Sequence, residues 1–337
     1  FGAEKPWKDK GVYLITGGAG GLGFLFAKEI ARHAKDAVLI LTGRSLLDNR
    51  KKTQLQELSD LGAQAVYKQT DMTEKQEVQS LTADICRQYG GLNGIIHSAG
   101  TIKDNYILKK HKDEIRDVLA PKVSGLVHLD EAAKDIELDF LILFSSGAGS
   151  AGSAGQADYA MANAFMNAFS EKRNRKKARN ERYGHTLSIC WPLWKDGGMT
   201  VDAETEAMLT KESGMVPMQT ENGIQALYRG WAANTSQVMV TEGYAAKIRA
   251  FLKKSADDQP NKGSETEETA GLTAGGENML AEKTEHFLKQ VLSEVTKLPV
   301  NKIDAKAPME DYGIDSIMIM HLTGRLEKSF GSLSKTL

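Results

Sequence analysis

Tyr159 stands four residues before Asn163 and thirteen after Ser146, a grouping with an evident chemical use. On a helix, Tyr159 and Asn163 lie one turn apart on the same face. A serine in reach of the same point completes a proton-donating site for a carbonyl: one hydroxyl gives the proton and the second steadies the charge on oxygen. A tyrosine phenol has a pKa near ~10 in model peptides, so it needs a nearby cation to transfer protons readily at neutral pH. The next turn of the helix offers Asn163 instead of a lysine. Either the site is inactive or the lysine comes from another part of the chain.

The elements that must position these residues alternate. Short apolar runs at Gly11–Thr16, Ala37–Thr42, Gln64–Gln69, Gly94–His97, Phe140–Phe144, His185–Cys190 and Gln237–Thr241 read as strands. Helical patterns at Leu22–Ala34 and Thr53–Leu61 separate the first three. Continuous apolar strands between helices predict a parallel sheet covered on both faces. The expected fold is α/β, a doubly wound Rossmann-type sheet with ligands at the carboxyl ends of the strands.

Residues 16–23 read TGGAGGLG between a strand and a helix. Thr16, Gly17, Gly18, Gly20, Gly21, Leu22 and Gly23 thus suit a pyrophosphate, which glycine lets the backbone approach and the helix N-terminus stabilises. The second strand ends in Arg44 and Ser45, where an acidic residue would select NAD. A guanidinium and a hydroxyl suit a 2′-phosphate, so NADPH is the expected cofactor. Asp71 and Met72 are placed to contact the adenine, and Ser98, Ala99 and Gly100 leave room for the cofactor. His97 reads as a packed structural histidine.

These motifs, with LTGRS, HSAG, APKVSG, FSSGAGSAGSAGQADYAMANAF and WPLWKDGGM, resemble the short-chain dehydrogenase/reductase superfamily. Within it they resemble the ketoreductase domains of bacterial modular polyketide synthases of the trans-acyltransferase type. The resemblance covers nearly all of residues 6–253. It implies that lysine and asparagine have exchanged places relative to the simpler enzymes. The lysine is then Lys122, 24 residues before Ser146. Tyr159 would donate the proton, with Ser146 on the same oxygen. Lys122 would lower the tyrosine's pKa and hold the nicotinamide ribose, with Asn163 orienting Lys122 or a relay water. Pro192 and Leu193 would run past the nicotinamide, and Trp194 and Met199 would flank the substrate, with Gly197 and Gly198 opening a lid. Asp104 is kept from a Leu-Asp-Asp pattern, and Ala151 replaces the tryptophan of L-producing relatives. Both imply a D-configured hydroxyl; Lys103 departs from the pattern and leaves a 2-ketoacyl substrate open beside a 3-ketoacyl one.

From Ser255 to Glu277 the chain has one basic residue, six acidic ones and Leu272 as its only bulky apolar side chain. A mobile acidic linker is expected over 254–277. Asp315-Ser316-Ile317 then resembles the attachment site of acyl carrier proteins, with 4′-phosphopantetheine on Ser316. The domains expected are therefore 1–253, the catalytic domain, and 278–337, a partial helical carrier domain. Both ends look like cuts through a larger polypeptide, and the non-catalytic half that precedes such reductases should be missing.

The resemblance implies a ketoacyl thioester on a carrier as substrate, with neighbouring synthase domains and a phosphopantetheinyl transferase as partners. The charges nearly cancel, 43 basic against 44 acidic in 337 residues, so no global field points to nucleic acid or membrane. Two distant cysteines, Cys86 and Cys190, suggest neither a metal site nor a disulfide and fit a cytoplasmic protein. A basic run, Arg173 to Arg179, reads most simply as a solvated helix end, or else as a dock for an acidic carrier. The rival readings are a free-standing reductase of small carbonyl compounds, against which Ser316 argues, and a non-catalytic scaffold.

Overall fold

The computed structural model describes residues 5–153, 155–199, 201–257, 276–296, 298–305, 307, 322, 323 and 326. The chain divides into two units, Phe1–Asp257 and Asp258–Leu337.

The first unit is built on seven strands: β1 Val12–Thr16, β2 Val38–Gly43, β3 Gln64–Gln69, β4 Gly94–His97, β5 Phe140–Ser146, β6 His185–Trp191 and β7 Gln237–Met239. They form one sheet in the order β3-β2-β1-β4-β5-β6-β7, and every pairing is parallel. The helices are α1 Gly21–His33, α2 Asn49–Asp60, α3 Lys75–Tyr89, α4 Lys112–Lys122, α5 Ser124–Ala132, α6 Ala148–Ala151, α7 Ala157–Ala178, α8 Ala203–Ser213, α9 Thr220–Ala232 and α10 Ala245–Asp257. This is the doubly wound arrangement that the apolar runs predict.

Successive strand residues feed opposite layers, as the two-residue period of a strand requires. Tyr13, Ile15, Leu39, Leu41, Phe140, Ile142 and Phe144 pack under α1 and α9, with Phe26, Ile30, Leu227 and Tyr228. Leu14, Ile40, Ile95, Leu141 and Leu143 pack on the other face against α3, α5 and α7, through Val78, Leu81, Leu126, Leu129 and Met166.

Two local readings change. Helix α2 starts at Asn49, four residues before the expected Thr53, because Asp48 caps it by accepting Lys51 N–H at 2.8 Å. The basic run Arg173–Arg179 forms the last turns of α7 and begins inside the protein rather than in solvent. Arg173 is 1% exposed and donates to Asp130 (2.7 Å), Thr186 Oγ1 (2.8 Å) and the carbonyls of Tyr183 (2.8 Å) and Gly184 (3.0 Å). Arg175 by contrast is exposed and pairs with Glu171, one turn back.

The second unit contains α11, Gly276–Thr296, and a 3-10 turn at Val300–Lys302. Val291, Leu292, Ile303 and Leu322 form its small core. The expected linker, 254–277, starts inside α10, which runs to Asp257, and ends inside α11. Ser316 lies outside the described residues.

Replacing Arg173 by leucine should cost about 3 kcal/mol, because it leaves buried Asp130 with Arg182 alone and takes the donor from two carbonyls. Arg175→Leu should stay within about 0.5 kcal/mol. Urea denaturation followed by circular dichroism measures both, and equal effects would disprove the distinction.

Candidate active site

The carboxyl ends of β1, β4 and β5 meet the start of α7, and there the residues singled out in the sequence converge. Ser146 is the last residue of β5, and Tyr159 and Asn163 lie in the first two turns of α7. Ser145 Oγ donates to the carbonyl of Asn163 at 3.2 Å, which ties that strand to that helix. Ser146 Oγ accepts Ala148 N–H at 3.3 Å, leaving its own hydrogen to donate.

Lys122 ends α4 and is 4% exposed. Its Nζ donates to the carbonyl of Phe144 at 2.9 Å and lies 5.8 Å from the centre of the Tyr159 ring. Gly100 makes the room: a Cβ there would sit 2.7 Å from Lys122 Cε. His97 sets the other side. Its ring Nε2 faces the carbonyl of Pro121 at 3.0 Å and so must donate, leaving Nδ1 to accept from Thr16 Oγ1 at 2.8 Å. One buried imidazole thus joins the ends of β1 and β4 to the turn of helix that presents Lys122.

Burial dominates the protonation of these groups. It pulls the Lys122 amine down to about 7. It also pulls His97 down to about 3, aided by the Lys122 charge. Burial pushes the Tyr159 hydroxyl up, and the nearby Asp104 charge adds to this, while the Ser146 and Asn163 side chains counter it. The net direction for Tyr159 is upward, because burial of the hydroxyl itself outweighs the two side-chain hydrogen bonds. Asn163 Nδ2 donates to the carbonyl of Tyr159 at 2.7 Å, and its buried Oδ1 has no hydrogen-bond partner among the described residues.

The expected cofactor positions surround this centre. Gly20 caps α1 without a side-chain bond, so the first-turn N–H groups face no competing side chain. Ser98 Oγ donates to the carbonyl of Thr16 at 2.7 Å, and Ala99 N–H to Thr16 Oγ1 at 3.3 Å. Arg44, Lys68 and Asp71 line a cavity of about 660 Å3 beyond β2 and β3. The backbone of Arg44 and Ser45 is held by Gln69 Nε2 (2.9 Å) and Tyr67 Oη (2.6 Å). Lys68 is a second cation at this cavity that the motifs did not suggest; its signal is its register opposite Thr42, two residues before Arg44. Met72 is 4% exposed and packs in the lower core, so only its backbone remains for an adenine. The cradle fits a dinucleotide with an extra phosphate on the ribose.

On the substrate side, Asp104 accepts from Gln156 Nε2 at 2.8 Å, and Ala151 ends α6 on the surface. Leu193, beside Pro192, accepts Met218 N–H at 2.8 Å, and Met199 is exposed. Trp194 corrects its expected place beside the substrate. It is 3% exposed and packs edge-on to Trp191 and Phe26, because Gly223 lets its ring slot against α9. The Gly197 carbonyl presses on Gly21 so closely that any Cβ there would overlap it. The backbone at Gly197 and Gly198 therefore meets the glycine loop directly.

The Lys122 amine makes stability depend on pH. Between pH 7 and 10.5 the unfolded chain holds a proton that the folded site has released, so stability rises with pH across that window. Lys122→Met should remove this slope, a difference on the order of 5 kcal/mol between its two ends. Denaturant titrations of both proteins at several pH values measure it, and parallel curves would disprove it.

Residues 11–196 match the KR domain family, and residues 286–335 match the phosphopantetheine attachment site. Polyketide synthase PksL of Bacillus subtilis (strain 168) is 62% identical over 99% of this chain, which spans 8% of that protein. Polyketide synthase PksN of the same organism is 49% identical over 97% of the chain and 6% of its own length. Among solved structures, a ketoreductase domain from the bacillaene assembly line aligns with a TM-score of 0.73 at 50% identity, over 74% of this chain and 60% of that one. The strand order, the buried Lys122 beside Tyr159 and these likenesses agree: the chain belongs to the KR domain family of polyketide synthases and continues into a phosphopantetheine attachment region.

Proposed function

We propose that this chain uses NADPH to reduce the ketone of a carrier-bound ketoacyl thioester to a D-configured hydroxyl. The observation that carries the reading is the Lys122 amine, buried beside the Tyr159 ring on a helix that has asparagine where a lysine would otherwise stand. NADPH, when bound, supplies the hydride. The start of α1 and the TGGAGGLG loop would hold its pyrophosphate, and Arg44, Ser45 and Lys68 its 2′-phosphate.

The chain's own residues then handle the oxygen. Tyr159 gives its hydroxyl proton to the ketone oxygen, and Ser146 donates a hydrogen bond to the same atom as charge develops. Lys122, with a pKa of about 7, is poised to take up and release a proton near neutrality and so to restore Tyr159. The free Asn163 Oδ1 offers an acceptor for a water on that route. Residues 1–253 make up the reductase. Residues 278–337 belong to a carrier domain, with Ser316 as the site that a phosphopantetheinyl transferase would load.

Tyr159→Phe should lower kcat for a ketoacyl thioester by about 10²–10⁴, with NADPH affinity kept within about threefold. Stopped-flow NADPH oxidation and calorimetry measure the two, and undiminished turnover would exclude Tyr159 as the acid. In the complete carrier, transferase treatment should add one phosphopantetheine mass, which Ser316→Ala abolishes. A mass gain retained in that variant would move the attachment elsewhere.

A further inference from the structure

Lys110 follows the 3-10 turn Ile107–Lys109 and carries its amine into the interior. Its side chain is 0% exposed and that of its partner Asp158 is 3% exposed, with Nζ 2.5 Å from Oδ2. The same amine donates to the carbonyl of Lys103. Asp158 uses its other oxygen, Oδ1, to accept Tyr159 N–H at 2.9 Å. A single buried ammonium therefore joins the segment 103–110 to the first turn of α7. Two further bonds follow the same seam: Asn105 N–H to the carbonyl of Gly155 (2.9 Å), and Gln156 Nε2 to Asp104 (2.8 Å).

Stability is a poor reason for such a pair, since desolvating two charges offsets much of their attraction and apolar residues often replace them without loss. What the pair adds is direction: three oxygen and nitrogen partners are held at fixed distances. The geometry it fixes is that of Ile102, Lys103 and Asp104 against Tyr159, and the Asp104 charge is felt at the Tyr159 hydroxyl.

We propose that Lys110 and Asp158 are positioning residues that set the stereochemical outcome. They hold segment 102–106 as a fixed wall beside Tyr159. This rests on the reductase reading above. The two faces of a ketone differ only in which side of the site receives the thioester arm. A wall held at one distance admits one orientation, and a wall that shifts admits both.

The test uses the full chain and the double variant K110M/D158N. The amide introduced by D158N would still accept Tyr159 N–H, while both charges and the bond to Lys103 are gone. Exchange of the backbone amides of residues 101–107 should speed up roughly tenfold, while the melting midpoint stays within a few degrees. The enantiomer ratio of the product from a ketoacyl thioester should fall roughly fivefold or more, with kcat changed less than about threefold. K110M alone, which leaves a buried carboxylate unpaired, should show the same loss of selectivity and a lower midpoint. Unchanged exchange would overturn the tether, and an unchanged ratio would overturn its role in selectivity. If the wild-type chain reduces no thioester, the reductase reading fails and the selectivity role with it; faster exchange in the variant would still establish the tether.

Discussion

The Lys122 amine is buried and held by a backbone carbonyl, that of Phe144, at 2.9 Å. A carboxylate in the carbonyl's place would keep the amine charged far above neutrality. A neutral acceptor leaves desolvation in control and brings the pKa to about 7. The proton is then easily moved, which is what a group that refills a tyrosine requires. Much of the surrounding structure serves to deliver that amine without neutralising it.

Delivery depends on three strands. β5 supplies the Phe144 carbonyl, and β4 supplies His97, whose Nε2 grips the Pro121 carbonyl next to the lysine. β1 supplies Thr16, which receives His97 from the other side. Gly100 clears the space for the lysine stem. The parallel sheet matters here because it brings the ends of all three strands to one edge.

Other buried cations of the same unit are treated differently. Arg173 meets Asp130, and Lys110 meets Asp158. Each joins distant segments through directed bonds to a carboxylate and to backbone carbonyls. Among the described residues Lys122 has a backbone carbonyl and an aromatic ring beside its amine, and no carboxylate bonded to it. The contrast separates cations that fix geometry from one suited to proton transfer.

The sequence by itself determined the strands, the glycine loop and the spacing of Ser146, Tyr159 and Asn163, while Lys122 came from the family resemblance. The first three rest on local rules: short continuous apolar runs, backbone freedom at glycine, and one-turn spacing along a helix. It also marked Arg44, since a charge at a strand end is visible without neighbours. Environments were decided by the tertiary structure. Trp194, expected at the substrate, became core because Gly223 opened a slot on α9. Arg173, in a run that reads as solvated, was buried because Asp130 waited on another helix. Lys68, the grip of His97 on Pro121 and the pairing of Lys110 with Asp158 had no local signature. The last two pairs are separated by 24 and 48 residues. The upward direction of the Tyr159 pKa has the same origin. Desolvation depends on everything packed around a group, and no spacing along the chain records it.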